Sequence, residues 1–117
     1  MKVAICGSRV FTNYPIFEEH SLEWEKQNGK ISLVISGGAV GADKLAEIFA
    51  KKYNRQTLII PPDYSKYPPR IAPLERNSLI IQEADYLIAF PTKESKGTWD
   101  TVNKAIKKGI QIKIYQV

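Results

Sequence analysis

The fold is decided by residues 31–53, which read ISLVISGGAVGADKLAEIFAKKY. The largely apolar run from Ile31 to Ile35 is typical of a buried strand, and a glycine-rich segment closes it. From Ala42 to Tyr53, apolar side chains then recur at the spacing i, i+3, i+4, i+7, i+8, i+11, which indicates a helix with one buried face. This stretch is therefore predicted to be a strand, a tight glycine turn and a helix.

The same alternation extends in both directions along the chain. It predicts further strands at Val3–Cys6, Thr57–Ile60, Tyr86–Phe90 and Ile110–Ile114, helices from Asn13 to Gln27, Leu74 to Glu83 and Thr98 to Lys108, and a proline-rich loop at Asp63–Pro73. Strands that alternate with helices imply parallel pairing through right-handed crossovers. We therefore expect an α/β fold: a Rossmann-like, doubly wound three-layer sandwich with a five-stranded parallel sheet in the order 3-2-1-4-5.

Length and composition narrow the class of protein. The 117 residues predict one domain, 1–117, and 44% hydrophobic residues are typical of a globular chain. The only cysteine, Cys6, cannot form an internal disulfide, and Cys6 with His20 is too small a set for a structural zinc site, so no metal is expected. No apolar run approaches the ~20 residues that span a bilayer, and the N-terminus lacks a signal-peptide core. We therefore expect a cytoplasmic protein without a membrane partner.

The net charge of +5 is unevenly distributed along the chain. Residues 51–117 hold twelve of the seventeen basic and six of the twelve acidic side chains. Such an excess is compatible with a nucleic-acid surface. However, Lys104, Lys107 and Lys108 lie near the end of a predicted helix, where the helix dipole favours cations. The second explanation is preferred, and nucleic acid is kept as an alternative partner.

Three glycine-bearing loops are predicted at one edge of the sheet. The first strand is followed by Gly7–Arg9, the second by Ser36–Asp43 and the fourth by Ser95–Thr98. These loops contain five of the seven glycines. Ligands of open α/β sheets bind at this edge, where the strand order reverses. Glycine turns and helix N-termini expose backbone N–H groups that favour phosphate. The loops fit neither the Walker A nor the Gly-x-Gly-x-x-Gly pattern, and the alternative is that the glycines only form tight turns.

Other polar residues near this edge have two interpretations each. Asp43 either binds a ribose hydroxyl or stabilises the first turn of its helix. Arg76 and Asn77 either face the ligand or lie on a solvated helix face. Trp99 either stacks on a base or packs in the core.

Taken together, these residues resemble those of a known family. Gly7-Ser8-Arg9, Ser36-Gly37-Gly38-Ala39 with Gly41-Ala42-Asp43, Arg76-Asn77 and Ser95-Lys96-Gly97-Thr98 are similar to the motifs of the SLOG superfamily, above all its YspA- and YpsA-related branch. That superfamily is Rossmann-like and includes the LOG phosphoribohydrolases and the DprA/Smf DNA-processing proteins. The resemblance implies a nucleotide or nucleotide-derived ligand and a homodimer or larger assembly. The implied ligand-binding residues are Gly7, Ser8, Arg9, Ser36, Gly37, Gly38, Gly41, Asp43, Arg76, Asn77, Gly97 and Thr98.

One departure from the LOG enzymes bears on catalysis. Their motif, Pro-Gly-Gly-x-Gly-Thr-x-x-Glu, ends in a glutamate that helps glycosidic cleavage, whereas Thr101 stands at that position here. The resemblance therefore favours a binding module, without an assigned catalytic residue or cofactor other than the ligand. Two alternatives stay open. One is a nucleotide-processing enzyme that uses Asp43, Asp63 or Asp100, and the other is a single-stranded nucleic-acid-binding protein similar to DprA.

Overall fold

The computed structural model describes residues 1–117. Its elements in chain order are β1 (Lys2–Gly7), α1 (Tyr14–Asn28), β2 (Leu33–Ser36), α2 (Ala42–Lys52), β3 (Gln56–Ile59), α3 (Ala72–Glu83), β4 (Tyr86–Phe90), α4 (Lys96–Lys108) and β5 (Gln111–Ile114). The strands form one parallel sheet in the order β3-β2-β1-β4-β5. The predicted α/β fold class and strand order are therefore confirmed.

The sheet separates two hydrophobic layers of unequal size. Successive side chains of a strand point to opposite faces, so that Val3 and Ile5 join one layer and Ala4 joins the other. The larger layer, with 15 buried residues, packs beneath α1 and α2, and the smaller layer, with nine, packs beneath α3 and α4. None of the four helices has the length and apolar character that a bilayer crossing requires.

Several element boundaries differ from the prediction. Ile31 precedes β2 instead of opening it, because its buried N–H donates to Glu25 Oε2 at 2.8 Å and not to a neighbouring strand. The helix α3 begins at Ala72, so Pro73 belongs to its first turn, where proline needs no hydrogen-bond partner. The helix α4 begins at Lys96, two residues before the predicted start. Gly97 and Thr98 are consequently part of its first turn.

The lysines of α4 contribute to the contact between α3 and α4. Lys108 Nζ donates to the carbonyl oxygens of Ile81 (2.7 Å), Gln82 (2.9 Å) and Ala84 (3.2 Å) at the end of α3. Lys104 Nζ contacts Asp100 Oδ2 at 2.6 Å. Part of the basic excess therefore has an intramolecular role.

The strand order reverses beside β1, which lies between β2 and β4. At its end, a Cβ on Gly7 would lie 2.6 Å from both Ala42 Cβ and the carbonyl oxygen of Phe90. Glycine is thus the residue that lets α2 and β4 approach the end of β1 this closely. A crevice opens directly beyond this point.

Candidate anion-binding crevice

The crevice has a volume of about 430 Å³ and lies at the carboxyl ends of the strands. Residues from the end of β1, the β2–α2 loop, α3 and the β4–α4 loop form its wall. Nine of the twelve predicted ligand-binding residues are among them: Gly7, Ser8, Arg9, Gly37, Asp43, Arg76, Asn77, Gly97 and Thr98. The topology thus brings together residues that are as far apart in sequence as Gly7 and Thr98.

The remaining three residues, Ser36, Gly38 and Gly41, are not part of the wall. Gly38 and Gly41 have φ angles of +74° and +80°, which glycine adopts without strain. A Cβ on Gly41 would also overlap the backbone of Ser8 and Arg9. Ser36 Oγ accepts the N–H of Gly38 at 3.3 Å. These contacts shape the β2–α2 loop, and a direct part in binding stays a prediction for all three.

Arg76 is the main charged group of the crevice. Its side chain is buried, so the interpretation of a solvated helix face is wrong. Nη1 donates to the carbonyl oxygen of Gly37 at 2.8 Å and Nε donates to Asn77 Oδ1 at 3.0 Å, whereas Nη2 has no hydrogen-bond partner. No carboxylate lies within 4 Å of the guanidinium. Burial lowers the pKa of Arg76 because the charged guanidinium is poorly solvated, although the charge of Asp43 acts in the opposite direction.

Asn77 is also buried, and its amide is used within the protein. Besides accepting from Arg76, it donates through Nδ2 to Asp100 Oδ2 at 3.0 Å and to the carbonyl oxygen of Gly97 at 3.4 Å. Asn77 therefore links α3 to the start of α4 and holds the Arg76 side chain in place.

Asp43 places a second buried charge in the wall. It is 7% exposed, and its Oδ2 accepts the N–H of Ala39 at 3.1 Å. Burial raises the pKa of Asp43 to about 6, although the Ala39 hydrogen bond and the charge of Arg76 act in the opposite direction. Its protonation state therefore changes close to neutral pH.

The N-terminus of α4 offers unused donors. The backbone N–H groups of Gly97 and Thr98 have no partner, and the N-cap residue Ser95 makes no capping hydrogen bond. The Thr98 hydroxyl is likewise without a partner in the protein, although the residue is only 6% exposed. A helix N-terminus with free N–H groups attracts anions.

A cluster of hydroxyl groups in the wall includes Thr92, which sequence reasoning missed. Thr92 Oγ1 lies 3.3 Å from Ser8 Oγ and 2.9 Å from Ser95 Oγ. The only signal in the sequence was the position of Thr92 two residues after the predicted fourth strand. Its partner Ser8 is 84 residues away, so no local pattern could have revealed the contact.

Of the three acids considered for catalysis, only Asp43 lines the crevice. Asp63 is exposed and accepts from the Ser65 hydroxyl, which, with two backbone N–H groups, holds its pKa below the usual range. Asp100 contacts Asn77 and Lys104. Thr101, at the position of the LOG glutamate, donates to the carbonyl oxygen of Gly97 at 3.2 Å.

Trp99, His20 and Cys6 all pack against neighbouring side chains. Trp99 is half-buried against the smaller hydrophobic layer. His20 stacks on Tyr115, with 4.3 Å between the ring centroids. Cys6 lines the crevice, and burial raises the pKa of its thiol, so the unreactive thiol form predominates.

Comparison with protein families gives one match. The model of the YAcAr family, described as the YspA, cpYpsA-related SLOG family, matches residues 1–67. A comparison with curated proteins gives no match.

Solved structures that share the fold include two DNA-processing proteins and a hydrogenase domain. DNA processing protein A (DprA) from Streptococcus pneumoniae has a TM-score of 0.73 and 18% identity over 97% of this chain and 49% of its own. DprA from Helicobacter pylori, described for its single-stranded DNA binding mode, has a TM-score of 0.73 and 23% identity over 97% of this chain and 64% of its own. The C-terminal domain of a hydrogenase from Pyrococcus furiosus has a TM-score of 0.51 and 13% identity over 97% of this chain and 90% of its own. This chain thus spans about half to two-thirds of the DprA chains, and the likeness is one of fold.

Proposed function

Because the chain belongs to the YspA, cpYpsA-related SLOG family, we propose that it is a binding module for a nucleotide or a nucleotide-derived ligand that carries phosphate. The observation that carries the proposal is the buried Arg76, which has no carboxylate within 4 Å and one unused nitrogen. Asp43 attracts Arg76 through its charge but forms no ion pair with it, and a buried charge without a directly paired counter-charge is costly. An anionic ligand in the crevice would provide that counter-charge and form charge-assisted hydrogen bonds with the guanidinium.

The surroundings of Arg76 also suit a phosphate. The free N–H groups of Gly97 and Thr98 add donors, and Arg9 and Lys96 add exposed positive charge at the same crevice. The crevice volume of about 430 Å³ falls within the range of roughly 300–1,000 Å³ typical of small-molecule sites. Apolar residues of the wall, such as Val10 and Leu74, provide a surface against which the less polar part of a nucleotide could pack.

Ligand titration tests the proposal. Calorimetry and thermal unfolding would be measured with nucleoside monophosphates, ADP-ribose and dinucleotides, and native mass spectrometry would be applied to protein purified without removal of bound ligands. A ligand at 100 times its Kd should add about 2.7 kcal/mol to the free energy of unfolding. The proposal would be contradicted if none of the phosphate-bearing compounds stabilised the protein and the native mass spectrum showed no bound ligand.

Substitution of Arg76 tests whether the ligand binds in the crevice. Arg76→Lys keeps the charge but loses the planar fork, and we expect it to weaken ligand affinity roughly tenfold. Arg76→Met removes the charge, and we expect a loss of roughly a hundredfold. Arg70→Ala, at an exposed arginine outside the crevice wall, is the control and should bind as the original protein does. Equal affinities of Arg76→Met and the control would place the ligand elsewhere.

Single-stranded DNA binding is the second candidate, favoured by the fold shared with Helicobacter pylori DprA and by the basic residues 51–117. Binding to the DNA backbone weakens steeply with salt. Fluorescence anisotropy with a labelled oligothymidine at ~50 and ~150 mM salt distinguishes the candidates. DNA binding would be favoured if the affinity for the oligothymidine persisted at the higher salt and decreased when Arg9 and Lys96 were substituted. If no such affinity were observed, nucleotide binding would remain the preferred function.

An enzymatic role is supported only by Asp43, because a carboxyl with a pKa near 6 is suited to general acid or base catalysis. Incubation with nucleoside monophosphates, followed by chromatography for free base, tests this role. The protein would be an enzyme if it released free base and if this activity were lost in Asp43→Asn but kept in Asp100→Asn. Binding without base release would leave the binding module.

A further inference from the structure

Ser8 is held in a state in which its hydroxyl can only donate. Its Oγ accepts two hydrogen bonds, one from the N–H of Val10 at 3.2 Å and one from the hydroxyl of Thr92 at 3.3 Å. A serine hydroxyl offers two acceptor positions and one proton. Both acceptor positions are filled, and the Ser8 proton has no partner within the protein, although the residue lines the crevice.

The geometry also gives a direction for the other two protons. Thr92 Oγ1 is oriented to donate to Ser8, and either hydroxyl can donate in the 2.9 Å contact between Thr92 Oγ1 and Ser95 Oγ, so a Thr92 proton directed to Ser8 leaves Ser95 as the donor to Thr92. Ser95 Oγ in turn accepts the N–H of Thr92 at 2.9 Å. The three hydroxyls therefore form a relay in which Ser95 donates to Thr92 and Thr92 donates to Ser8. Hydrogen bonds aligned in one direction polarise one another and strengthen the last donor.

The relay also explains why α4 begins without a cap. Serine at an N-cap position usually accepts an N–H from the first turn of its helix. Here Ser95 is turned to Thr92 instead, and the N–H groups of Gly97 and Thr98 stay free. A single side chain thus orients the relay and leaves the helix N-terminus open to the crevice.

We infer that Thr92 and Ser95 are positioning residues that make Ser8 an obligatory donor, so that this part of the crevice selects an oxyanion. The inference rests on the proposed function and defines the chemistry of one part of the ligand. A deprotonated phosphoryl group only accepts hydrogen bonds, and its oxygens match the free donors of Ser8, Gly97 and Thr98 that line the same crevice. An amine or amide N–H at the same place would find no free lone pair on Ser8.

Inorganic phosphate is the probe for the test, titrated at pH 7.5 into ¹⁵N-labelled protein at constant ionic strength, with chloride as the reference anion. The amide shifts of Ser8, Gly97 and Thr98 report occupancy. We expect Ser8→Ala to weaken the phosphate Kd roughly tenfold, since hydrogen bonds to charged groups are the stronger ones. Thr92→Val should weaken it roughly three- to tenfold, and Thr92→Ser, which retains the hydroxyl, should stay within about twofold of the original protein.

A double-mutant cycle separates the relay from a merely structural effect. If Thr92 acts through Ser8, the variant with both Ser8→Ala and Thr92→Val should bind phosphate no more weakly than Ser8→Ala alone. Ser95→Ala is the second relay variant, and Thr12→Val, outside the crevice wall, is the matched control. Additive losses in the cycle, or unchanged affinity in both Thr92→Val and Ser95→Ala, would overturn the relay while the proposed function stands. No phosphate binding by the original protein would overturn the oxyanion preference of Ser8, whereas the nucleotide titrations decide the proposed function separately.

Discussion

The glycines in and beside the crevice are present for different physical reasons. Gly7 is needed where α2 and β4 approach β1, and Gly41 combines a positive φ with a backbone contact. Gly97 has neither constraint, because its φ is not positive and a Cβ there would meet no atom within 4 Å. A glycine inside a helix costs roughly 0.5–1 kcal/mol relative to alanine. Gly97 thus keeps space and backbone accessible at the α4 N-terminus at a cost in stability.

Gly97→Ala should therefore separate stability from binding. We expect the free energy of unfolding to rise by up to about 1 kcal/mol and the affinity for a phosphate-bearing ligand to fall roughly tenfold, because the new methyl group occupies the space beside the free N–H groups. Urea unfolding and calorimetry measure the two quantities. Asn103→Ala, at an exposed position of α4 outside the crevice, should stabilise without the loss of binding. Unchanged affinity in Gly97→Ala would show that the ligand does not approach this turn.

Asp43 makes stability depend on pH. Its pKa is raised from 3.8 to about 6 in the folded chain, so the folded state retains the proton while the unfolded state loses it. The contribution of Asp43 to the free energy of unfolding is fully present below about pH 4. It decreases as the pH rises to about 6 and remains low at higher pH.

Asp43→Asn removes this pH dependence. The variant should gain stability relative to the original protein between pH 4 and 6, reaching up to about 3 kcal/mol at pH 7.5, because each tenfold change in ionisation corresponds to ~1.4 kcal/mol. Urea unfolding of both proteins at pH 4.5 and 7.5 measures the difference. The same stability difference at the two pH values would mean that Asp43 has an ordinary pKa.

At the scale of elements, the sequence predicted which segments are strands and helices better than where they begin. Hydrophobic periodicity reports burial, and Ile31 is buried without being in a strand. The sequence predicts the start of α4 two residues late, because Lys96 and Gly97 carry no apolar signal. The position of Arg76 and Asn77 on the third helix, near the binding edge, makes them candidates, but a polar pair on a helix is equally typical of a solvated surface, and the resemblance to a family is what favours the ligand-facing interpretation.

The α3–α4 pair is stabilised by a lysine that the charge distribution alone left ambiguous. Lys108 donates to three carbonyl oxygens at the end of α3, a favourable place for a cation. Lys108→Met should lower the free energy of unfolding by roughly 0.5–1 kcal/mol. Lys107→Met, on the neighbouring exposed lysine, removes the same charge and should change stability by less. Equal losses in chemical denaturation would indicate an effect of net charge and not of these hydrogen bonds.

For the whole molecule, the strand order and the position of the crevice followed from topology rules, because a sheet that reverses direction beside β1 leaves an opening there. The chemistry of the wall did not follow from them. The relay joins the β1 end to the β4–α4 loop, and Arg76 reaches from α3 to Gly37 in the β2–α2 loop. These contacts depend on side-chain positions that only the packed structure defines.

The unequal layers predict unequal local stability. The α3–α4 side contains nine buried residues in its hydrophobic cluster and the α1–α2 side contains 15, so less apolar surface is buried where Arg76, Gly97 and Thr98 are held. Native-state hydrogen exchange should therefore show lower opening free energies for amides of α3 and α4 than for those of α1 and α2. On the proposed function, a phosphate-bearing ligand would contact Arg76 on α3 and the first turn of α4, and it should raise protection there first, by up to about 2.7 kcal/mol at 100 times its Kd. Uniform opening energies in the free protein would contradict the layer argument. A ligand that protects α1 and α2 equally would instead show that the domain opens as one cooperative unit, with the crevice coupled to both layers.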